Sequence, residues 1–177
     1  MKIVGTIILI LFSGVCLITP AQQTARATLQ QILDYEENHD NDADMTFNRR
    51  NIEIRQKWIT PSLYRLYLIE LIREEREAKE HPDEKPYFGD GMDFGPLKEF
   101  CKAVDKIYPQ RFSLSRSRII GNYVYVRARF FYHKDCDGDE PIYYTFIFRK
   151  TGNAWLLNDI DYGKNGTLRR DLRRAND

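Results

Sequence analysis

The fold is decided by residues 111–162, which read RFSLSRSRIIGNYVYVRARFFYHKDCDGDEPIYYTFIFRKTGNAWLLNDIDY. Aromatic and β-branched residues are concentrated here in four runs with the two-residue alternation of strands. The runs are Arg111–Ile120, Tyr123–His133, Ile142–Lys150 and Asn153–Tyr162. Gly121-Asn122 and Thr151-Gly152 are the length and type of hairpin turns, while Lys134–Pro141 is a longer loop. The stretch therefore predicts a four-stranded antiparallel meander.

The residues before the meander show the 3.6-residue spacing of helices. Thr60-Pro61 supplies a good N-cap followed by a proline tolerated at the first helical position. The apolar positions of the four expected helices are Leu29, Ile32, Leu33; Phe47, Ile54, Trp58; Leu63, Leu66, Tyr67, Leu71; and, after Pro96, Leu97, Phe100, Cys101, Val104, Ile107. Helices followed by strands predict an α+β fold, with the N-terminal helices packed on a curved antiparallel sheet.

Charged residues fall in runs that predict solvated surface. Glu36–Asp44 has no apolar periodicity and indicates a solvated connection, and Arg73–Glu80 is expected to be the exposed end of the third helix. The formal net charge of the 177 residues is +1, which gives no case for a nucleic-acid partner.

The N-terminus has the form of a secretory signal peptide. Lys2 precedes the apolar stretch Ile3–Ile18, and Thr19-Pro20-Ala21 supplies a turn and a small residue. Cleavage after Ala21 fits, and so does cleavage after Ala27. An uncleaved membrane anchor is the alternative, and it is the one route by which we expect contact with a membrane. The sequence thus predicts an exported protein, periplasmic or extracellular, with one domain over residues 28–162 and a basic tail over 163–177 that is mobile or follows an edge.

The order of helices and meander resembles the nuclear-transport-factor-2-like superfamily, and more narrowly the exported bacterial domain-of-unknown-function 3828 type. The resemblance rests on the export signal, on Thr60-Pro61-Ser62-Leu63, on the loop Asp90–Phe94 and on a closing Trp155-x-Leu157-x-x-Ile160-x-Tyr162 pattern. It implies a cone-like fold in which sheet and helices enclose a pocket. It fixes no activity, because that superfamily contains enzymes, adaptors and ligand binders.

Strand alternation separates an inner and an outer face of the meander. Val124, Val126 and Phe146 belong to the expected core face. The residues of the opposite face are rich in tyrosine and arginine, which interfaces favour. The candidates for binding a ligand or partner are Tyr123, Tyr125, Arg127, Arg129, Tyr143 and Arg149. A homodimer through this face is one expectation, and an ordinary solvated sheet face is the alternative.

The last strand poses a question of parity. Trp155, which we expect to be a core anchor, shares one side of a regular strand with Asp159. An inward Asp159 would be a candidate general acid or base, with Tyr162 as a second catalytic candidate. A bulge near Asn158 would instead return Ile160 to the core, and we favour the bulge.

The loop between the second and third strands carries the densest oxygen ligands, Asp135, Asp137 and Asp139, which are weak candidates for a metal site. We favour an acidic hairpin loop, because the spacing of a calcium loop is incomplete. Removing the N-terminal segment leaves Cys101 and Cys136, which can form one disulfide in an oxidising compartment or remain free thiols. No phosphate-binding or hydrolase motif is present, so no cofactor is expected.

These observations favour a non-enzymatic exported domain that binds an unknown partner protein or small ligand through the cone mouth or the Tyr/Arg face. Two alternatives remain at this stage. One is a small-molecule isomerase or hydrolase-like enzyme that uses Asp159, and the other is a structural dimeric envelope protein.

Overall fold

The computed structural model describes residues 20–39, 46–83, 99–101, 106–108, 111–131 and 141–173. Within these ranges, three helices come first, then two short strands and a four-stranded meander. The helices are α1 (Pro20–Asn38), α2 (Arg49–Arg55, continued by a 3-10 turn over Gln56–Trp58) and α3 (Pro61–Glu80). The strands are β1 (Glu99–Cys101), β2 (Lys106–Tyr108), β3 (Arg111–Ile120), β4 (Tyr123–Phe131), β5 (Ile142–Thr151) and β6 (Ala154–Asp161). The predicted α+β class is confirmed.

The start of α3 follows the predicted capping chemistry. The Thr60 side chain accepts a hydrogen bond from the Leu63 amide, and Pro61 occupies the first turn, where its missing N–H costs nothing. Along the same helix, Leu63, Tyr67 and Leu71 are buried at the expected spacing. Thus the local sequence is sufficient to place this helix and to select its inward side.

The predicted fourth helix is wrong over the residues that the structure describes. Within Pro96–Ile107, the backbone of Glu99–Cys101 pairs antiparallel with that of Lys106–Tyr108. Short apolar runs fit a pair of strands as well as a helix, so periodicity alone could not separate the two outcomes.

The meander β3–β4–β5–β6 is antiparallel throughout, and each strand pairs with its neighbour along the chain. Gly121 (φ +56°) and Gly152 (φ +59°) occupy the hairpin turns in the left-handed region, which glycine enters without strain. β3 carries one extra residue between Leu114 and Ser117, and β6 carries one at Asn158. The second irregularity is the predicted bulge, and it places both Leu157 and Ile160 in the core.

The core lies between the inner face of the sheet and helices α1 and α3. α1 contacts β3, β4 and β6, and α3 contacts β6. The fully buried side chains of the sheet are Val124, Val126, Ala128, Phe130, Phe146, Phe148, Leu157 and Ile160, and the helices bring Leu29, Ile32, Leu33, Leu63 and Tyr67 against them. Trp155, expected to be an anchor of this core, is half-buried at its rim. The two expected faces of β4 and β5 are confirmed.

Two charged runs are less solvated than their composition predicts. Glu36 is 3% exposed and receives Nε and a terminal nitrogen of Arg55 at 2.7 and 2.8 Å. In α3, Arg73 and Glu74 are buried, and Arg73 pairs with Glu70, whereas residues 75–80 are exposed. Glu36 is buried because its partner Arg55 comes from another helix, and Arg73 is buried beside Glu70 of the preceding helical turn.

The C-terminal residues 163–173 run along β6, which is the expected alternative to a mobile tail. A 3-10 turn (Gly163–Asn165) leads into the short helix α4 (Leu168–Asp171), and Leu168 and Leu172 are buried in the core. The edge of β6 is further covered by Ile59, which forms a parallel bridge with Leu157. In the described part of the chain, no helix is both long and apolar enough to cross a membrane.

Candidate functional site

The outward side chains of β4 and β5 form a continuous surface, which we call the basic face. It consists of Tyr123, Tyr125, Arg127, Arg129, Tyr143 and Arg149. The strand register places these residues beside one another, with Arg129 opposite Tyr143 and Tyr123 opposite Arg149. All six residues that the sequence selects therefore lie on one side of the sheet.

Arginine–aromatic stacking orders one end of the basic face. The guanidinium carbon of Arg127 lies 4.2 Å from the centre of the Tyr143 ring, and that of Arg129 lies 4.3 Å from the Phe131 ring. Tyr143 remains 41% exposed. Contacts of this kind stabilise an exposed arginine by about 0.5–1 kcal/mol and leave the edge of its guanidinium open to hydrogen bonding.

Arg118 extends the basic face onto β3, where it stands opposite Tyr125. Sequence reasoning missed it, because the extra residue between Leu114 and Ser117 shifts the alternation of that strand. Nothing in the sequence indicates that β3 carries this extra residue, which reverses the side of the sheet to which its following side chains point.

Among the described residues, the arginines of this surface have no acidic partner. In the part of the chain that the structure describes, no carboxylate forms an ion pair with Arg118, Arg127, Arg129 or Arg149. Residues 111–131 and 141–173 contain eleven lysines and arginines against three aspartates. By contrast, residues 20–39 and 46–83 contain nine lysines and arginines against ten acidic residues. The positive charge of the described chain is therefore concentrated on the meander and the C-terminal segment that follows it.

All three of those aspartates are engaged beside β6. Asp159 Oδ1 accepts the amides of Ile160 and Arg169, each at 2.9 Å. Asp161 Oδ1 accepts the Gly163 amide at 2.8 Å, and Asp171 pairs with Arg170 at 3.2 Å. These contacts fold the C-terminal segment back onto the sheet edge, so the described residues supply no carboxylate to compensate the charge of the basic face.

Asp159, the catalytic candidate, lies outside the core because of the bulge at Asn158. Burial raises the pKa of its carboxyl most strongly, and hydrogen bonds from the Arg169 and Ile160 amides oppose that rise. The ring of Tyr162, the other candidate, stacks edge-on to Tyr144 at 4.8 Å. The two candidates thus stand in separate surroundings, and the contacts of Asp159 are those of a capping group.

Arg169 is a functional-site neighbour that the sequence did not single out. Burial lowers the pKa of its guanidinium, and so does the positive charge of Arg173 and Arg149. Its side chain donates to Ser62 Oγ and to the Asn158 carbonyl, each at 3.2 Å. Positive charge therefore continues from the basic face around the edge of β6.

The metal and disulfide candidates fall largely outside the described residues. Asp135, Asp137, Asp139 and Cys136 lie in residues 132–140, and only the backbone of Cys101 is described, within β1. Among the described residues, no group of three His, Cys, Asp or Glu side chains could hold a metal ion. These sites stay predictions from the sequence.

Comparison with known proteins gives fold neighbours of low similarity. No protein-family model matches the chain, and no curated protein sequence matches it. One similar structure is the type VI native effector–immunity complex Tae3–Tai3 from Ralstonia pickettii, with 13% identity and a TM-score of 0.44 over 80% of this chain and 96% of that chain. Another is a phospholipid-binding protein from Ralstonia solanacearum in complex with a phospholipid, with 13% identity and a TM-score of 0.45 over 89% and 85%. Similarity at this level assigns neither a family nor a function.

Proposed function

We propose that this chain is an exported, non-enzymatic binding protein whose basic face holds an acidic partner protein. The observation that carries the proposal is the absence of ion pairs at Arg118, Arg127, Arg129 and Arg149 in the described structure. Export is supported by the apolar stretch Ile3–Ile18 and the boundary at Thr19-Pro20-Ala21.

The charge of the basic face favours a partner over a purely structural role. Several guanidinium groups on one side of a sheet repel one another, and a partner's carboxylates would remove that repulsion on binding. The same field accelerates encounter with an acidic molecule. An arginine that served only to keep the sheet soluble would be equally well placed among carboxylates, as the exposed residues of α3 are.

The aromatic side chains supply the rest of an interface. Tyr143 lies beneath Arg127 and beside Arg129, whose guanidinium is 5.9 Å from the same ring centre. This stacking holds two long side chains in place before a partner arrives, which reduces the entropy that binding removes. Tyr and Arg are also the residues that most often dominate binding energy at interfaces.

A second copy of the chain fits this face less well than an acidic protein does. A two-fold dimer through β4 and β5 would bring Arg127 and Arg129 toward the same residues of the other protomer. Like charges placed together across an interface cost several kcal/mol. A homodimer through the basic face therefore remains the second candidate, and light scattering distinguishes it.

The contacts of Asp159 favour a binding protein over an enzyme. A general acid or base needs a side-chain oxygen that can reach a substrate proton. Asp159 Oδ1 is occupied by two backbone amides that start α4 and continue β6. Membership of the nuclear-transport-factor-2-like superfamily is also part of the proposal, and the helices-then-meander order supports it.

We further propose that the signal peptide is cleaved after Ala21 and not after Ala27. Ala25 is fully buried, and Arg26 donates to the backbone carbonyls of Leu114, at 3.2 Å, and Ser115 at the β3 bulge. Cleavage after Ala27 would remove both contacts from the mature protein.

The test is a titration of fluorescently labelled poly-L-glutamate, followed by anisotropy, in low and moderate salt. The wild-type chain should bind, and Arg127→Glu with Arg129→Glu should weaken binding by at least tenfold. The matched control is Arg65→Glu with Arg76→Glu, an equal change of charge at two exposed arginines of α3.

The control variant should keep most of the affinity if the face, and not net charge, determines binding. Equal losses in the two double variants would overturn the proposal, as would a wild-type chain that does not bind polyglutamate. Self-association that disappears in the Arg127/Arg129 variant would support the homodimer instead.

A further inference from the structure

Both short turns of the meander lie at the same end of the sheet, which we call the hairpin end. Tyr123, the first residue of β4, pairs with Arg149 near the end of β5. The Lys150 amide donates to the Asn122 carbonyl at 3.4 Å, which joins the β3–β4 turn to the strand that leads into the β5–β6 turn. The two turns therefore form one projecting surface.

Two adjacent isoleucines at this end are exposed. Ile119 is 39% exposed and Ile120 is 46% exposed. Ile119 pairs with the buried Val124 and Ile120 with the outward Tyr123, so the two side chains lie on opposite faces of the sheet. Because both are exposed, the tip projects beyond the helices that cover the inner face and presents aliphatic surface on both sides.

Three exposed basic residues lie beside this aliphatic tip. Arg118, Arg149 and Lys150 are exposed beside it. No Asp or Glu occurs in residues 111–131 or 141–158, so the described part of the hairpin end contains no carboxylate. Trp155 stands opposite Lys150 on β6 and is half-buried, and tryptophan is a residue that favours the boundary between apolar and aqueous phases.

We propose that the hairpin end docks on a membrane surface that contains anionic lipids, with Ile119 and Ile120 inserted among the headgroups. A small aliphatic tip beside exposed arginine and lysine matches such a surface, since inserted side chains and basic residues act additively in peripheral membrane binding. An aliphatic tip that is exposed on both faces of the sheet suits a deformable layer better than a groove. The hairpin end shares Arg118 and Arg149 with the basic face, but the inference rests on the exposed isoleucines and does not depend on an acidic partner protein.

The test is hydrogen–deuterium exchange of the full chain with vesicles of phosphatidylcholine and phosphatidylglycerol in equal parts, and with vesicles of phosphatidylcholine alone. The readout is the exchange of the Gly121 and Asn122 amides, which is local to the tip and so separate from any binding by the N-terminal segment. These amides should be protected on the anionic vesicles and not on the neutral ones.

Variants at the tip give the size of the effect. Ile119→Ser with Ile120→Ser should raise the lipid concentration for half-protection about tenfold, and Arg118→Ala about fivefold. The matched control is Ile69→Ser with Ile72→Ser on α3, where the two isoleucines are 47% and 59% exposed among acidic neighbours. Thermal melts of all variants confirm that each one folds.

The control pair should leave half-protection unchanged. Absence of protection on anionic vesicles, equal protection on neutral ones, or equal effects of the tip and α3 pairs would each overturn the proposal. Loss of polyglutamate binding in the Arg127/Arg129 variant, with protection of the tip retained, would support both surfaces separately.

Discussion

Arginine occurs in two contrasting settings, one in the helical layer and one on the sheet. Arg55 is 1% exposed, and two of its nitrogens bind the carboxylate of Glu36 while a third binds the Asn51 carbonyl at 3.1 Å. Arg127 and Arg129 are exposed and lie against aromatic rings, and no carboxylate of the described residues forms an ion pair with either. The first setting fixes the packing of α1 on α2, whereas the second contributes little that the fold requires.

The contrast predicts two different results of mutation. Replacing the buried arginine should lower the stability of the fold, whereas replacing the exposed arginines should weaken binding. A buried guanidinium without a partner would be strongly unfavourable, so Arg55 depends on Glu36 for the fold itself. A surface guanidinium keeps its water and costs little by itself, so the clustering of such groups on one face requires another explanation. We infer that this explanation is an external anion.

The largest effect is expected where the paired arginine is removed. Arg55→Ala leaves the Glu36 carboxylate buried without its partner, and it should lower the free energy of unfolding by about 3–5 kcal/mol. Urea denaturation followed by circular dichroism measures this loss. The matched comparison is Arg127→Glu with Arg129→Glu, which should lower stability by no more than about 1–2 kcal/mol through loss of the two arginine–aromatic contacts. Equal losses in the two variants would remove the distinction between the two settings.

The next effect separates the core of β6 from its rim. Leu157→Ala should cost about 2–5 kcal/mol, because Leu157 is fully buried between sheet and helices. Trp155→Ala should cost less than the removal of a fully buried tryptophan, since its ring is half-exposed beside the hairpin end. Thermal melts of both variants check that the loss of stability is larger for Leu157→Ala than for Trp155→Ala. The reverse order would show that the core extends to the β5–β6 turn.

The smallest effect concerns Asp159 and depends on pH. Its folded-state pKa is raised, mainly by burial, so any stabilisation from this group is fully present below its unfolded pKa near 3.8 and is lost as pH rises through the folded value. Asp159→Asn keeps an acceptor for the two amides but does not titrate. The stability of the wild type relative to this variant should therefore fall from acidic to neutral pH, as measured by urea denaturation. A rise over the same range would mean that the pairing with Arg169 outweighs burial.

The meander could be predicted from the sequence because local patterns determine it. Alternation in Tyr123–Phe131 and Ile142–Thr151 fixes which side chains are inward, and the glycines at 121 and 152 fix the turns. The bulge at Asn158 could be inferred as well, since only an extra residue puts both Leu157 and Ile160 in the core.

What the sequence could not predict depends on partners that are distant along the chain. Glu36 and Arg55 belong to different helices, and nothing local indicates that an acidic run ends in a buried ion pair. Arg118 and Arg169 join the positive surface through a strand irregularity and a reversed C-terminal segment. The half-exposure of Trp155 likewise follows from its position beside a projecting turn, which residue type alone does not reveal.

The most direct test of the basic face is chemical modification of arginine by a dicarbonyl reagent, with and without bound poly-L-glutamate, read residue by residue by mass spectrometry. We predict that binding slows the modification of Arg127, Arg129 and Arg149 together, while Arg65 and Arg76 on α3 react at unchanged rates. Protection that is equal at the two sets of arginines, or that is greater on α3, would contradict the assignment of the basic face as the binding surface.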